Sequence, residues 1–169
     1  MKDLRRYIFE YFRDKPAQRQ VVELIISLGL SVKEDGIYLD KLKIPYSSLA
    51  EVAKVDRRVV VSAIESIRQD PFLKGFFERL LPAGPFLRDV ARDIGYTVLI
   101  VIPYRDQPGI IAGVSTILAR HGINIVQIIA EAPQLKEVQK MYIVVEGDIP
   151  GEVINEIKKL DFIDTLQIM

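Results

Sequence analysis

The stretch YTVLIVIPYRDQPGIIAGVSTILARHGINIVQI, residues 96–128, decides the fold. Its first seven residues are almost all apolar and rich in β-branched side chains, in a run too short for an ordinary helix. They predict a strand covered on both faces, in the interior of a sheet. Pro103 cannot donate a ladder hydrogen bond and ends it. In Asp106-Gln107-Pro108-Gly109, Pro108 pre-sets φ and Gly109 lets the backbone bend sharply. Ile110, Val114, Ile117, Leu118 and His121 then recur at helical spacing, and Gly122 follows as a residue free to take positive φ at the helix C-terminus. A second strand opens at Gly122-Ile123-Asn124-Ile125. A strand delivered by a glycine turn to a helix N-terminus leaves several amides without intrahelical partners near one spot, which suits a carboxylate.

Downstream, the second strand is expected to reach Glu131, and the polar segment Ala132 to Val138, with Pro133, reads as a hairpin loop. Gln139 to Glu146 alternates, with Met141, Ile143 and Val145 on one face. Gly147-Asp148-Ile149-Pro150 turns into a helix with Val153, Ile154, Ile157 and Leu160 inward, and Phe162 to Met169 forms a last strand. The order β-α-β-β-α-β predicts an antiparallel sheet with both helices on one face, a ferredoxin-like sandwich. Because Val98 to Ile102 and Ile123 to Ile129 look apolar on both faces, the other face is expected to lie under a second copy or under the N-terminal helices.

Asp106-Gln107-Pro108-Gly109-Ile110-Ile111, followed about a dozen residues later by Gly122-Ile123-Asn124-Ile125, resembles the signature of the ACT domain family, small regulatory modules that commonly bind amino acids. The resemblance covers roughly residues 95–169. With the helical half before it, the layout resembles predicted regulators of amino acid metabolism. It implies a ligand site between the first strand and first helix, usually where two modules meet, formed here by Asp106, Gln107, Pro108, Gly109, Ile110, Ile111, Asn124 and Ile125. Asp106 would face the ligand's ammonium group, the amides near Gly109, Ile110 and Ile111 its carboxylate, and Asn124 would offer an amide that donates and accepts. Some family members carry a histidine two residues before the polar residue of the turn; here that position is Tyr104. Asp106 and Asn124 could equally serve only their own turn and strand end.

Residues 1–81 predict a mainly helical domain, 82–94 a linker and 95–169 the sensing domain, so the fold class is α+β. Leu4, Ile8, Tyr11 and Phe12 share one helical face, and Val21, Leu24, Ile25 and Leu28 another, joined at Lys15-Pro16. Gly29 ends the second, and Ile37-Tyr38-Leu39 is a short extended piece within a segment, 30–46, that periodicity leaves open. Ser48 and Glu51 stand at capping-box spacing and open a short helix with Leu49, Val52 and Ala53 inward. Asp56 caps the next, with Val60, Ala63, Ile64 and Ile67 buried, until Asp70-Pro71 ends it. Two short helices in tandem, the second beginning with arginines, resemble a helix-turn-helix. On that reading Arg57, Arg58 and Ser62 would contact DNA, while Glu65 would repel phosphate. Equally, two arginines in a first turn are often only solvated. Phe72, Phe76, Phe77, Leu80 and Leu81 close the N-terminal core. Pro82-Ala83-Gly84-Pro85 is the strongest punctuation in the chain, and Leu87, Val90, Ala91 and Ile94 suggest a linker helix.

Net charge is zero over 169 residues, without the basic bias of a dedicated nucleic-acid binder. Residues 1–80 carry 15 basic and 12 acidic side chains and residues 81–169 carry 8 and 11, a small asymmetry of +3 against −3. Absence of cysteine excludes disulfides, thiolate metal sites and a cysteine nucleophile. His121, the single histidine, is read as a residue capping the end of its helix, so no metal site or cofactor is implied. There is no phosphate loop and no nucleophile constellation, and an enzyme is not expected. No apolar run approaches a membrane span and the N-terminus has no signal-like segment, which places the chain in the cytoplasm by default. The expected function is an amino-acid-responsive transcriptional regulator acting as a homodimer or higher oligomer. The alternative is a regulatory subunit that docks onto a metabolic enzyme without binding DNA.

Overall fold

The computed structural model describes residues 4–132 and 138–169, so most of the expected hairpin loop at 132–138 lies outside the described residues. Contacts divide the chain into two compact units, Met1–Gly84 and Pro85–Met169.

In the first unit, α1 (Leu4–Tyr11) and α2 (Pro16–Ser27) are followed by β1 (Ser31–Lys33), β2 (Gly36–Leu39) and β3 (Leu42–Ile44), then by α3 (Tyr46–Ala53), α4 (Arg57–Gln69) and α5 (Pro71–Glu78). The three strands form an antiparallel meander in sequence order, which periodicity had shown only as the short piece around Ile37. Its core joins Phe12, Val21, Ile25, Ile37, Val60, Ile64, Ile67, Leu73 and Phe77, all fully or nearly fully buried. The helix stripes meet there as their spacing demands.

Two local expectations need correction. α3 does not begin with a Ser48–Glu51 capping box: it starts one turn earlier, with Pro45 in the N-cap position and no side-chain cap. Proline locks φ near the helical value, and the Pro45 carbonyl accepts from the amides of Ser48 (3.1 Å) and Leu49 (3.4 Å), so the helix nucleates before Ser48. The buried stripe of α3 is Leu49, Ala50 and Ala53, and Val52, expected inward, is 64% exposed. Nor is there a linker helix at 86–94; only Arg92–Ile94 forms a 3-10 turn. By contrast Asp56 does cap α4, its Oδ1 accepting from the Arg58 amide at 2.7 Å.

The second unit runs β4 (Tyr96–Pro103), α6 (Ile110–Arg120), β5 (Ile125–Ala130), β6 (Met141–Glu146), α7 (Gly151–Lys158) and β7 (Ile163–Ile168). The sheet is antiparallel between neighbours in the order β5-β6-β4-β7, the ferredoxin-like arrangement. Leu99, Val101, Met141, Ile143 and Val145 face Val114, Ile117, Leu118, Val153 and Ile157 of the two helices. The opposite face carries Val98, Ile100, Tyr142 and Val144, buried with Ala91 and packed against Leu87 and Tyr96. Residues 85–95 of the same chain thus cover the face for which a second copy or the N-terminal helices were expected. Burial of that face is no reason for dimerisation.

Candidate ligand-binding site

The turn after β4 is held at both ends. Tyr104 donates its amide to the Phe162 carbonyl at 3.1 Å, and the Arg105 Nε donates to Gln107 Oε1 at 3.1 Å, so the Gln107 side-chain oxygen is already engaged within the turn. Gly109 stands in the N-cap position of α6 with φ 98° and ψ −11°, and no side chain caps the helix. A left-handed φ at this point needs glycine. The first amide of the turn to find an intrahelical acceptor is that of Gly113, 2.8 Å from the Gly109 carbonyl. Amides of residues 110–112 therefore open at the N-terminal, partially positive end of α6.

The two isoleucines divide. Ile110 is 8% exposed and anchors the helix in the core, so only its backbone is available, whereas Ile111 is 48% exposed and Tyr104 70%. Asp106, Pro108 and Gly109 are exposed and Gln107 half-buried. The exposed part of the turn is thus Asp106, Pro108, Gly109 and Ile111, with Ile110 contributing only its backbone.

Asn124 and Ile125 are elsewhere in the same copy. The Asn124 carbonyl accepts from the Glu146 amide at 3.1 Å, and Glu146 pairs with Tyr96, the first residue of β4, whereas the turn follows the last. Seven residue steps of strand, from Tyr96 to Pro103, separate the two ends, roughly 23 Å. Ile125 also packs its side chain into the core. One copy does not bring the eight expected residues together.

At the other end of α6, His121 is the C-cap residue, as its position suggests; its backbone amide reaches the carbonyls of Ile117 and Leu118. Its ring Nε2 lies 2.9 Å from Glu156 Oε2 on α7, and Arg120 pairs with the same carboxylate. Hydrogen bonding by His121, with the positive charge of Arg120 adding to it, lowers the Glu156 pKa below the usual value.

In the first unit, three residues separate α3 from α4, and Lys54 turns the chain at φ 52°. Arg57 and Arg58 are both exposed. Arg58 and Ser62, one helical turn apart, line a shallow groove with Val59 and with Lys15 to Gln18 at the start of α2. Arg57 points about 100° away around the helix axis. Ser62 is not free, since its Oγ accepts from Gln18 Nε2 at 3.1 Å while the buried Ser66 donates to Gln18 Oε1 at 3.0 Å. Sequence reading missed Gln18, which is separated from its partners by more than forty residues and looks like any polar residue on a helix surface.

Residues 97–162 match the profile of the ACT domain family. They form an ACT domain. The sequence finds no match among curated proteins. Among solved structures, the chain is similar to the ligand-free regulatory subunit of aspartate kinase from Thermus thermophilus, at 29% identity over 46% of this chain and 52% of that one, with a TM-score of 0.39. It is also similar to the prephenate dehydratase from Staphylococcus aureus subsp. aureus Mu50, at 21% identity over 44% of this chain and 28% of that one (TM-score 0.36). An AsnC family transcriptional regulator from Agrobacterium tumefaciens aligns over 90% of this chain and 86% of its own, at 14% identity and a TM-score of 0.29. This chain thus spans about half of the kinase subunit and little more than a quarter of the dehydratase. At these TM-scores none of the three adds to what the ACT domain match shows. No helix among the described residues is long and apolar enough to cross a membrane, and no group of His, Asp and Glu among them is placed to hold a metal ion.

Proposed function

We propose that this chain is an amino-acid-responsive regulator in which ligand at the β4–α6 turn of the ACT domain controls an N-terminal helix pair, α3–α4, that contacts DNA. One observation carries the reading: Gly109 opens α6 without a side-chain cap, leaving backbone amides beside an exposed Asp106. Amides at a helix N-terminus match a carboxylate and an aspartate matches an ammonium group, the two charges of a free amino acid.

A second copy completes the site. β5 is an edge strand and runs parallel to β4, because each is antiparallel to β6. Antiparallel pairing of two β5 edges about a two-fold axis brings Asn124 of the partner subunit to the end of the sheet where the turn lies. Ligand and pairing then support each other, and coupling of ~1 to 3 kcal/mol to the N-terminal half is of the ordinary size for such a switch.

Thermal stability measured with each of the twenty common amino acids tests this. A ligand present at about 100 times its dissociation constant adds about 2.7 kcal/mol. No shift with any of them rules out the amino-acid site.

The second reading is a regulatory subunit that docks onto a metabolic enzyme. It is favoured by the engagement of Ser62 with Gln18 and by the exposed Glu65 on the helix that would read DNA. A gel shift with the DNA upstream of the protein's own coding sequence separates the two: retardation supports the regulator, and its absence with and without amino acids supports the subunit.

A further inference from the structure

Residues 85–94, the opening of the second unit, lie against the sheet and form no strand of it. Phe86 packs edge-on against Tyr142 of β6, with ring centroids 4.9 Å apart, and the Arg88 guanidinium sits over both rings at 5.3 and 5.6 Å. Ala91 is fully buried against the sheet. The segment's backbone is held at two places: the Tyr96 amide donates to the Ala91 carbonyl (2.9 Å), and the Gln127 side chain accepts from the Leu87 amide (3.0 Å) and donates to the Pro85 carbonyl (2.9 Å). Glycines with left-handed backbones, Gly84 (φ 96°) and Gly95 (φ 77°), bound the segment.

Gln127 reaches this face because of a defect in β5. Strict alternation would put Ile125 and Gln127 on the same face, in the apolar core. The register slips between them, so that Ile125 pairs with Val145 and Gln127 with Val144. Through this bulge Ile125 and Ile128 both pack into the helix-side core. Gln127 is turned to the opposite face, where its amide matches a donor and an acceptor of the crossing backbone.

We propose that residues 85–94 are a strap latched to the sheet by Gln127, and that displacement of β5 releases it and so passes ligand occupancy to the connection between the two units. This rests on the reading of the ACT domain as an amino-acid site. β5 begins at Ile125, two residues before the latch and next to Asn124, so pairing or ligand contact there acts on the strand that holds the strap. Release uncovers Val98, Ile100, Tyr142 and Val144.

Hydrogen exchange of the full chain tests the latch without ligand. Gln127→Ala is expected to raise exchange of amides 86–91 about tenfold through the loss of two hydrogen bonds, with β4 and β6 amides unchanged. Exchange that is unaltered, or that rises throughout the sheet, overturns the latch. Should Gln127→Ala not fold, Arg88→Ala loosens the strap from its aromatic side and carries the same expectation. Exchange in the wild-type chain with each of the twenty amino acids then tests the coupling. An amino acid that raises thermal stability should also change exchange at 86–91. Stabilisation with no change at those amides overturns the coupling and leaves the ligand site standing. If no amino acid stabilises the protein, the site and the coupling fail together, and the variants alone decide the latch.

Discussion

Gly109 and Gly29 both take positive φ, yet they tolerate a side chain differently. A Cβ on Gly109 meets nothing within 4 Å, so Gly109→Ala pays only for its left-handed backbone, about 1–2 kcal/mol. At Gly29 the same atom would lie 2.8 Å from Pro82 Cα and 3.0 Å from the Leu81 carbonyl oxygen, and backbone cannot move aside as the end of a flexible side chain can. Gly29→Ala should therefore lower stability clearly more than Gly109→Ala in urea unfolding; equal losses would show that the close approach is readily relieved. At this scale the Asp56 cap was legible, because an aspartate before a helix carries its own acceptor to the free amides, whereas Asp70 read only as the end of α4 and its capping of α5 came from the structure. Ser48 misled because Pro45 nucleated the helix first.

Pairs of elements are joined by contacts that no spacing announces. Gln18 of α2 bridges Ser62 and Ser66 of α4, and Ser66 is buried. Gln18→Ala should cost roughly 2 kcal/mol, since a hydroxyl is left buried without its partner, and chemical denaturation measures it. α6 and α7 meet through His121, Arg120 and Glu156. The folded pKa of Glu156 is lowered from 4.5, first by the His121 hydrogen bond, so its charged form is the one that stabilises. That contribution is present above 4.5 and is lost as pH falls through the lower folded value. The acid limb of a melting-temperature profile should therefore be shallower in Glu156→Gln than in the wild type. A profile of identical slope would mean that the cluster makes no net contribution.

Each of the two units has its own core, and the proposed function requires the two to communicate. If α4 contacts DNA, replacing Arg57 and Arg58 together by Ala removes two exposed cations without touching the core. The expected outcome is loss of retardation in a gel shift, with the melting temperature unchanged. In fluorescence titrations, any residual binding should show a slope of log K against log salt smaller by about 2. Undiminished binding would move the contact elsewhere or remove DNA from the account.

What the sequence determined by itself was the strand and helix order of the ACT domain, most of the core stripe of α4 and α6 and the glycine turn that opens α6. Those follow from local periodicity and from proline and glycine geometry, which act over a few residues. Only the tertiary structure decided that the second face of the sheet is covered by residues 85–95, that Asn124 lies a strand's length from the turn in its own copy, and that Gln18 and Gln127 hold distant segments. Each depends on groups brought together across dozens of residues, and Gln127 also on a one-residue slip in register, to which the periodicity of apolar residues is blind.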